Sequence, residues 1–364
     1  MTDEIAPIEN FWAVVPAGGA GTRLWPLSRS TSPKFLRDLT GTGRSLLQGT
    51  YDRLAPLVDD RFMVVTGQAH RDAVADQLPE VDRDEIVAEP SARDSMAAIG
   101  LAAALLERRD PDAVMGSFAA DHVITDPAAF GGSVRTAVAA ARDGWLVTIG
   151  IEPTFPSSAF GYIHLGGDLG GHAGVHAVES FVEKPSVSVA EGYLATGRYR
   201  WNAGMFVVRP GVLLDLLAAD DPAFAAALRA IAADPTTLEA AWPALPKVAL
   251  DHAVAEPAAA AGRVVVVPAA FGWDDIGDFD SLAGLLEDAD RAEVTVLGEA
   301  ALVHAAQATG LVVPAGGKVV AVIGLDDVVV VDTPDALLVT TRARAQDVKA
   351  VVNALKDSGR GELT

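Results

Sequence analysis

A glycine-rich break directly after an apolar strand constrains this chain more than any other feature. The run from Phe11 to Val15 has the pattern of a short buried strand, and glycines follow it at Gly18, Gly19 and Gly21. Glycine lets a backbone pass close to a ligand, and backbone N–H groups in such a loop form a concave anion site. We therefore expect this loop to bind a polyphosphate.

Two positive charges accompany the loop. Arg23 follows it directly and Lys34 lies further along the chain, where each can pair with phosphate oxygens. A P-loop would need Lys and then Ser or Thr after its last glycine, but Thr22 and Arg23 stand there. A dinucleotide fingerprint that starts at Gly19 would need a glycine where Leu24 stands. The loop therefore predicts a phosphate site of neither type.

Strand and helix patterns alternate from the loop to about residue 150. Ser45 and Gln48 have the spacing of a capping box that starts a helix. Further strands are predicted over Arg61–Thr66, Ile86–Ala88, Ala113–Ser117 and Trp145–Ile149. Such alternation predicts an α/β fold with a parallel, doubly wound sheet, whose ligands bind at the carboxyl ends of its strands.

The pattern changes twice further along the chain. From about residue 151 to 286 it loosens into a glycine-rich hairpin and an alanine-rich helical span. After about residue 291 it becomes a series of short β-rich runs that ends in an amphipathic helix. We predict a catalytic domain over residues 1–290 and a small β-rich domain over residues 291–364.

Composition excludes several classes of function. The 364 residues carry a formal net charge of −21, which disfavours nonspecific binding to nucleic acid or anionic lipid. No cysteine is present, so disulfides, thiolate metal sites and a cysteine nucleophile are excluded. No apolar run reaches the ~20 residues of a membrane span. The N-terminal segment lacks the pattern of a signal peptide, so we expect a cytoplasmic protein without a membrane partner.

Carboxylates are predicted on the same rim as the glycine loop. Asp121 follows the predicted strand Ala113–Ser117, and the pair Asp274 and Asp275 follows a predicted strand over Arg263–Pro268. Mg²⁺ prefers oxygen ligands and can bridge such carboxylates to phosphates. Two carboxylates far apart in sequence but near one phosphate would be sufficient.

The run from Gly18 to Arg29, followed by Pro33 and Lys34, resembles the signature of the sugar-1-phosphate nucleotidyltransferases. Its Trp-Pro-Leu-Ser-Arg portion is most similar to that of the mannose-1-phosphate guanylyltransferases, also called GDP-mannose pyrophosphorylases. This resemblance implies a Rossmann-like mixed sheet with a small β-helix-like C-terminal domain. It also implies transfer of GMP from GTP to α-D-mannose 1-phosphate, with Mg²⁺ as cofactor and a homodimer as the assembly.

The resemblance implies that four residues act on the reacting phosphates. Arg23, Lys34, Asp121 and Asp275 match the catalytic positions, with Asp121 and Asp275 as metal ligands and Asp274 as a neighbour. The glycines at 18, 19 and 21, together with Thr22, match the family's nucleotide-binding loop.

A second matching segment approaches the base in this family. It contains Glu89, Arg93, Asp94 and Ser95. A carboxylate such as Glu89 can accept from N1–H and N2–H₂ of guanine, whereas Arg93 can donate to its O6 or to a phosphate. The family has Asn-Thr at the last two positions, so Asp94 and Ser95 depart from its pattern.

Three further segments match the family's sugar-phosphate pocket. They supply Gly161, Glu183, Lys184 and Asn202. Glu183 and Asn202 suit sugar hydroxyls, and Lys184 suits the sugar's phosphate. Phe160 stands where the family has a tyrosine, which removes one hydroxyl from this pocket.

Other functions stay open at this point. The same chemistry fits another sugar 1-phosphate or a pyrimidine triphosphate, and a noncatalytic regulatory subunit that binds nucleotide sugars would share the fold. Acyl transfer by the tail is less compatible, because the tail offers only His304 and no long hexapeptide array. Longer relatives continue into an isomerase domain, and since the sequence stops at Thr364 we expect no isomerase activity.

Overall fold

The computed structural model describes residues 6–19, 21–287 and 293–364. The chain forms two compact units that do not follow chain order. The first draws on Met1–Gly18, Tyr51–Ala119 and Ile124–Trp273, and the second on Gly19–Thr50, Ala120–Val123 and Asp274–Thr364. The predicted boundary between residues 290 and 291 lies outside the described residues, so the division into 1–290 and 291–364 stays a prediction.

A mixed sheet of nine strands organises the first unit, in the order β3-β2-β1-β4-β9-β6-β10-β8-β7. The strands up to residue 274 are β1 (Phe11–Ala17), β2 (Phe62–Gly67), β3 (Ile86–Glu89), β4 (Val114–Ser117), β5 (Val123–Ile124), β6 (Leu146–Ile151), β7 (Gly161–Asp168), β8 (His176–Val182), β9 (Tyr199–Val208), β10 (Val264–Ala269) and β11 (Trp273–Asp274).

Strand direction confirms the mixed sheet that the family resemblance implies. β1 is parallel to β2 and to β4, and β2 is parallel to β3, as the alternation of strands and helices predicts. β9 is antiparallel to β4, β6 and β7, and β7 and β8 form an antiparallel pair. A wholly parallel sheet is therefore wrong, because β7 and β8 are joined by a hairpin rather than by a helical crossover.

Helices cover the sheet and close the chain. They are α1 (Leu46–Val58), α2 (Arg71–Gln77), α3 (Asp94–Arg109), α4 (Pro127–Arg142), α5 (Val187–Thr196), α6 (Pro210–Asp220), α7 (Pro222–Ala233), α8 (Leu238–Ala241), α9 (Glu256–Ala260), α10 (Phe279–Leu286) and α11 (Val348–Asp357). The predicted capping box is present before α1: the Ser45 N–H donates to Gln48 Oε1 at 3.0 Å, and the Gln48 N–H donates to Ser45 Oγ at 3.2 Å. No helix in the described ranges is long and apolar enough to cross a membrane.

Short parallel strands dominate the C-terminal part of the second unit. They are β12 (Val294–Val296), β13 (Val303–Ala306), β14 (Gly310–Pro314), β15 (Val320–Ile323), β16 (Val328–Asp332) and β17 (Leu337–Thr341). β12, β14 and β16 stack in parallel, with β17 antiparallel at the edge, and β13 pairs in parallel with β15.

The apolar core of the second unit joins stretches that are far apart in sequence. Leu24, Trp25 and Leu27 from the start of the chain are buried against Leu311 and Val329 of the β-rich part. The residues that directly follow the glycine loop are thus part of a core that the last strands build. This core fixes the backbone on which Arg23 stands.

Candidate active site

The glycine loop has the backbone geometry that its sequence predicts. In the second unit Gly19 has φ +86° and Gly21 has φ +59°, a region that favours glycine. A Cβ atom on Gly21 would lie 3.0 Å from Cβ and Cγ of Lys34. Glycine is therefore required at position 21 both by its backbone angle and by the close approach of Lys34. Thr22 begins a short 3₁₀ helix, Thr22–Leu24, that carries Arg23.

Lys34 contacts both of the residues that carry the predicted carboxylates. Its Nζ atom lies 2.9 Å from Oδ2 of Asp121 and donates to the backbone carbonyl of Asp275 at 2.6 Å. The Lys34 side chain is only 13% exposed, so these interactions are little screened by water. The structure thus brings Lys34, Asp121 and Asp275 together, although they lie in three separate segments of the chain.

Asp275 has the electrostatics of a carboxylate at a crowded charged site. Burial raises the pKa of Asp275 most, the positive charges of Lys34 and Arg23 lower it, and the negative charge of Asp121 raises it. A Cβ atom on Gly277 would lie 3.3 Å from Asp275 Oδ1 and 3.7 Å from Nη2 of Arg23. All four residues predicted to be catalytic therefore lie in one cluster of mixed charge.

The backbone around Asp275 is strained. Ile276 has φ +43°, which is a rare conformation for a β-branched residue. The Ile276 N–H donates to Oδ1 of Asp274 at 2.6 Å, and burial raises the pKa of Asp274 to about 6. Asp274 thus stabilises the turn that presents its neighbour. Strain of this kind concentrates at functional sites.

Arg23 is held without being neutralised. Its Nη1 donates to Oε1 of Gln346 at 3.2 Å, and the Gln346 amide in turn donates to Asp278. Among the residues that the structure describes, no carboxylate forms an ion pair with Arg23. Arg23 thus hydrogen-bonds to a neutral amide, while its positive charge lowers the pKa of the nearby Asp275.

Glu89 lies at the end of β3 in the first unit. It is 9% exposed, and its Oε2 has no hydrogen-bond partner in the described part of the chain. Burial raises the pKa of Glu89 to about 7. A buried carboxyl oxygen without a partner suits a ligand that brings N–H donors.

The residues after Glu89 form hydrogen bonds with backbone groups of the protein. Both Nη atoms of Arg93 donate to carbonyls, of Leu245 at 3.2 Å and of Pro243 at 2.5 Å. Asp94 has φ +65° and its Oδ1 accepts from the Ser95 N–H at 2.9 Å, whereas Ser95 Oγ accepts from the Leu250 N–H. These contacts hold the segment 243–250 against the start of α3.

Several polar side chains lie around Gly161, the first residue of β7. A Cβ atom on Gly161 would lie 2.5 Å from Oε2 of Glu183, so Glu183 occupies the space that the missing side chain leaves. Lys184 has φ +45° and pairs with Glu183 at 2.5 Å, and its side chain is 62% exposed. Nδ2 of Asn202 donates to Oδ1 of Asp251 at 2.5 Å.

Two residues of these sites were missed by sequence reasoning. Asp251 lies in an alanine-rich stretch whose π-helical turn has no sequence signature, and Gln346 lies in a 3₁₀ helix beyond the β-rich strands. Only the fold brings Asp251 to Asn202, and Gln346 to Arg23. No local spacing could have identified either residue.

The comparisons with known proteins show the family of the chain. The sequence matches the nucleotidyl transferase family over residues 12–291 and the mannoseP isomerase/GMP-like β-helix domain over residues 305–355. The chain therefore belongs to the nucleotidyl transferase family and is a nucleotidyltransferase. Its family generally uses a divalent metal ion.

The individual proteins that resemble this chain have names more specific than that of the family. The mannose-1-phosphate guanylyltransferase of Escherichia coli (strain K12) is 39% identical over 366 residues, which covers 97% of this chain and 75% of that protein. The xanthan biosynthesis protein XanB of Xanthomonas campestris pv. campestris (strain B100) is 40% identical over 360 residues, or 96% and 74% of the two chains. A crystal structure from Thermus thermophilus, named a mannose-1-phosphate geranyltransferase, has a TM-score of 0.85 at 34% identity and covers 95% of this chain and 99% of its own.

The donor set fits a divalent metal ion of the hard type. Asp121 and Asp275 offer carboxylate oxygens, and the negative charge of Asp121 raises the pKa of Asp275, so a shared cation would relieve this repulsion. Within the described ranges no group of three or more His, Cys, Asp or Glu side chains forms a metal cage. A cation at this site would thus take its remaining ligands from phosphate and water.

Proposed function

We propose that this protein transfers GMP from GTP to α-D-mannose 1-phosphate, giving GDP-mannose and pyrophosphate. The observation that carries the proposal is the cluster of Arg23, Lys34, Asp121 and Asp275 beside the glycine loop. Guanylyltransferases of mannose 1-phosphate are among its close relatives, which supports this choice of substrates.

The chemistry requires positioning and charge neutralisation. A phosphate oxygen of the sugar attacks the α-phosphorus of GTP, the bond to the β-phosphate bridging oxygen breaks, and pyrophosphate leaves with the electron pair. The attacking oxygen is already anionic, so neither a general base nor a protein nucleophile is needed. In-line transfer of this type depends on orientation and on compensating negative charge.

We assign the cations of the chain by their positions. Arg23, which is held by the neutral Gln346 amide, stabilises the leaving pyrophosphate, and Lys34 stabilises the charge around the α-phosphorus. The glycines at 18, 19 and 21 and the Thr22 backbone bind the phosphates of GTP. Lys184, exposed beside Glu183, pairs with the phosphate of the sugar.

We propose Mg²⁺ as the cofactor, held by Asp121 and Asp275. When bound, the ion neutralises charge on the phosphate oxygens. The role of the protein's own cations here is to favour the ionised form of Asp275. Lys34 and Arg23 do so by lowering its pKa against the effect of burial.

Base selection is assigned to Glu89. Guanine presents N1–H and N2–H₂ side by side, and a carboxylate can accept from both. Arg93, Asp94 and Ser95 complete this side of the site by fixing the loop and the start of α3. Gly161, Glu183 and Asn202 are assigned to the sugar, since they combine an open backbone with acceptors for hydroxyl groups.

A substrate panel tests the proposal directly. Four nucleoside triphosphates are combined with mannose, glucose and galactose 1-phosphates, and pyrophosphate release is measured with Mg²⁺ present. We expect the highest kcat/KM for GTP with mannose 1-phosphate. A higher value for another pair would replace the substrates within the same chemistry, and no turnover with any pair would favour a regulatory nucleotide-sugar-binding subunit.

Three further properties stay predictions. We propose a catalytic domain over 1–290 with a β-rich domain over 291–364, a homodimer, and a location in the cytoplasm. Light scattering during gel filtration measures the oligomer, and a monomer at micromolar concentration would contradict the dimer.

A further inference from the structure

Asp251 is the partly buried acid beside the predicted sugar residues. It begins a π-helix, Asp251–Ala255. Such turns are rare in proteins, and those that occur are often found at functional sites. We propose that Asp251 is a positioning residue for the sugar: it fixes the amide of Asn202 and, together with Glu183, sets which pattern of hydroxyl groups the site accepts. This inference rests on the proposed function, because it assumes a sugar phosphate as substrate.

The amide of Asn202 is fixed at both ends. Its Nδ2 donates to Asp251 Oδ1 at 2.5 Å, and its Oδ1 accepts from the Gly204 N–H at 3.1 Å. An asparagine amide has two N–H donors and two carbonyl lone pairs. Rotation of the amide would break both interactions, so the remaining donor and acceptor are presented in one fixed order. A ligand hydroxyl therefore meets a defined donor and a defined acceptor.

Glu183 adds a second carboxylate close to this amide. Burial is the largest cause that raises the pKa of Asp251, the hydrogen bond from Asn202 lowers it, and the negative charge of Glu183 raises it. Glu183 also fills the space beside Gly161. Glu183 pairs with Lys184 and Asp251 with Asn202, and each carboxylate keeps further acceptor capacity that suits the O–H donors of a polyhydroxylated pyranose.

A purely structural role for Asp251 is the alternative. In that case the carboxylate would only satisfy the Asn202 amide inside the fold, and its loss would lower stability without changing substrate preference. The two roles differ in their kinetics. Loss of a positioning residue changes the KM and the selectivity for one substrate. Loss of a structural residue lowers the melting temperature or changes the KM values of both substrates alike.

The experiment compares Asp251→Asn and Asp251→Ala with wild type, using whichever sugar phosphate the wild type accepts. We expect Asp251→Ala to raise the KM for the sugar phosphate at least tenfold, while the KM for GTP changes less than twofold. The ratio of kcat/KM for the preferred sugar over its epimer should fall at least threefold. Asp251→Asn keeps the shape and should show a smaller change in the same direction.

A double-mutant cycle with Asn202→Ala tests whether Asp251 acts through the amide. We expect the double variant to be no worse than the worse single variant, because coupled residues are not additive. The control is His252→Ala, in the same π-helical turn, where His252 is 53% exposed and pairs with Glu256 at 3.1 Å. It should leave both KM values unchanged.

Three results overturn the inference. Equal changes in both KM values, or a lower melting temperature with unchanged selectivity, would reduce Asp251 to a structural residue. An additive cycle would show that Asp251 does not act through Asn202. These outcomes require an active wild type, so they are distinct from failure of the proposed function, which would be seen as absent turnover with every sugar phosphate.

Discussion

The two units hold their charged candidate residues in opposite ways. In the second unit Arg23 and Lys34 stand on short 3₁₀ helices and Asp121 and Asp275 on irregular backbone, and their charges partly balance one another. In the first unit Glu89 ends β3, Glu183 follows β8 and Asn202 lies within β9. Among the described residues, Oε2 of Glu89 has no hydrogen-bond partner. The charged cluster of the second unit therefore suits a phosphate or a cation, whereas Glu89 of the first unit suits neutral donors. In each unit the proposed ligand would supply partners for these groups.

The largest expected effect is in the cluster of mixed charge. Arg23→Ala and Asp275→Asn should each lower kcat by roughly 10²–10³, the scale for losing a transition-state charge contact. Steady-state pyrophosphate release measures this change. Arg29→Gln is the matched control, because Arg29 stands on the same loop but pairs with Asp335 at 2.6 Å instead of facing the cluster. Turnover near wild type in Arg23→Ala would remove that residue from the mechanism.

Base recognition should depend on pH through Glu89. The pKa of Glu89 is raised to about 7, so the carboxyl is largely protonated at pH 6 and largely ionised at pH 8. Only the ionised form accepts from both guanine donors, and the KM for GTP should therefore fall roughly tenfold between these values.

Glu89→Gln isolates this contribution, because phosphate groups also titrate near this range. The variant should have a KM for GTP that is high at both pH values, with the Glu89-dependent part of the profile gone. If wild type and variant have parallel pH profiles, Glu89 does not titrate at the base.

The space beside Gly161 offers a finer test of the first unit. Gly161→Ala would place a Cβ 2.5 Å from the Glu183 carboxylate and displace it. We expect the KM for the sugar phosphate to rise about tenfold, with the KM for GTP nearly unchanged. Gly167→Ala, on the same strand and with open space around it, is the control. An equal effect in both variants would mean that the strand, not the carboxylate, was disturbed.

The smallest expected effect concerns the support of the cluster. Gln346→Ala removes the neutral group between Arg23 and Asp278, so Arg23 can move toward that carboxylate and lose part of its free charge. We expect kcat to fall about threefold to tenfold, and no further loss when Gln346→Ala is added to Arg23→Ala. Additive losses would show that Gln346 stabilises the unit independently of Arg23.

Local patterns predicted the parts of this molecule that local physics determines. The strand and glycine loop, the capping box at Ser45 and the β-rich tail all follow from periodicity and turn chemistry. The antiparallel insertion of β9 between β4 and β6 does not, because strand order depends on how distant segments pair. The sheet is accordingly mixed where alternation alone predicts a parallel one.

Site prediction divides in the same way. Family signatures led to Lys34, Asp121 and Asp275, which the structure brings together. Asp251 and Gln346 were not found, since each acts on its partner across a large separation in sequence. The signature also left the strained Ile276 unnoticed, because its positive φ depends on the surrounding turn and not on the residue type.

The indole of Trp25 donates to the carbonyl of Leu363 at 2.7 Å, which ties the start of the chain to a residue made 338 positions later. During synthesis on the ribosome, where early segments emerge and fold first, this tie cannot form until Leu363 has left the exit tunnel. The surroundings of Trp25 are therefore completed only when the last residues of the chain are available. A chain that lacked Leu363 would lose this hydrogen bond, and with it one support of the segment that follows Arg23.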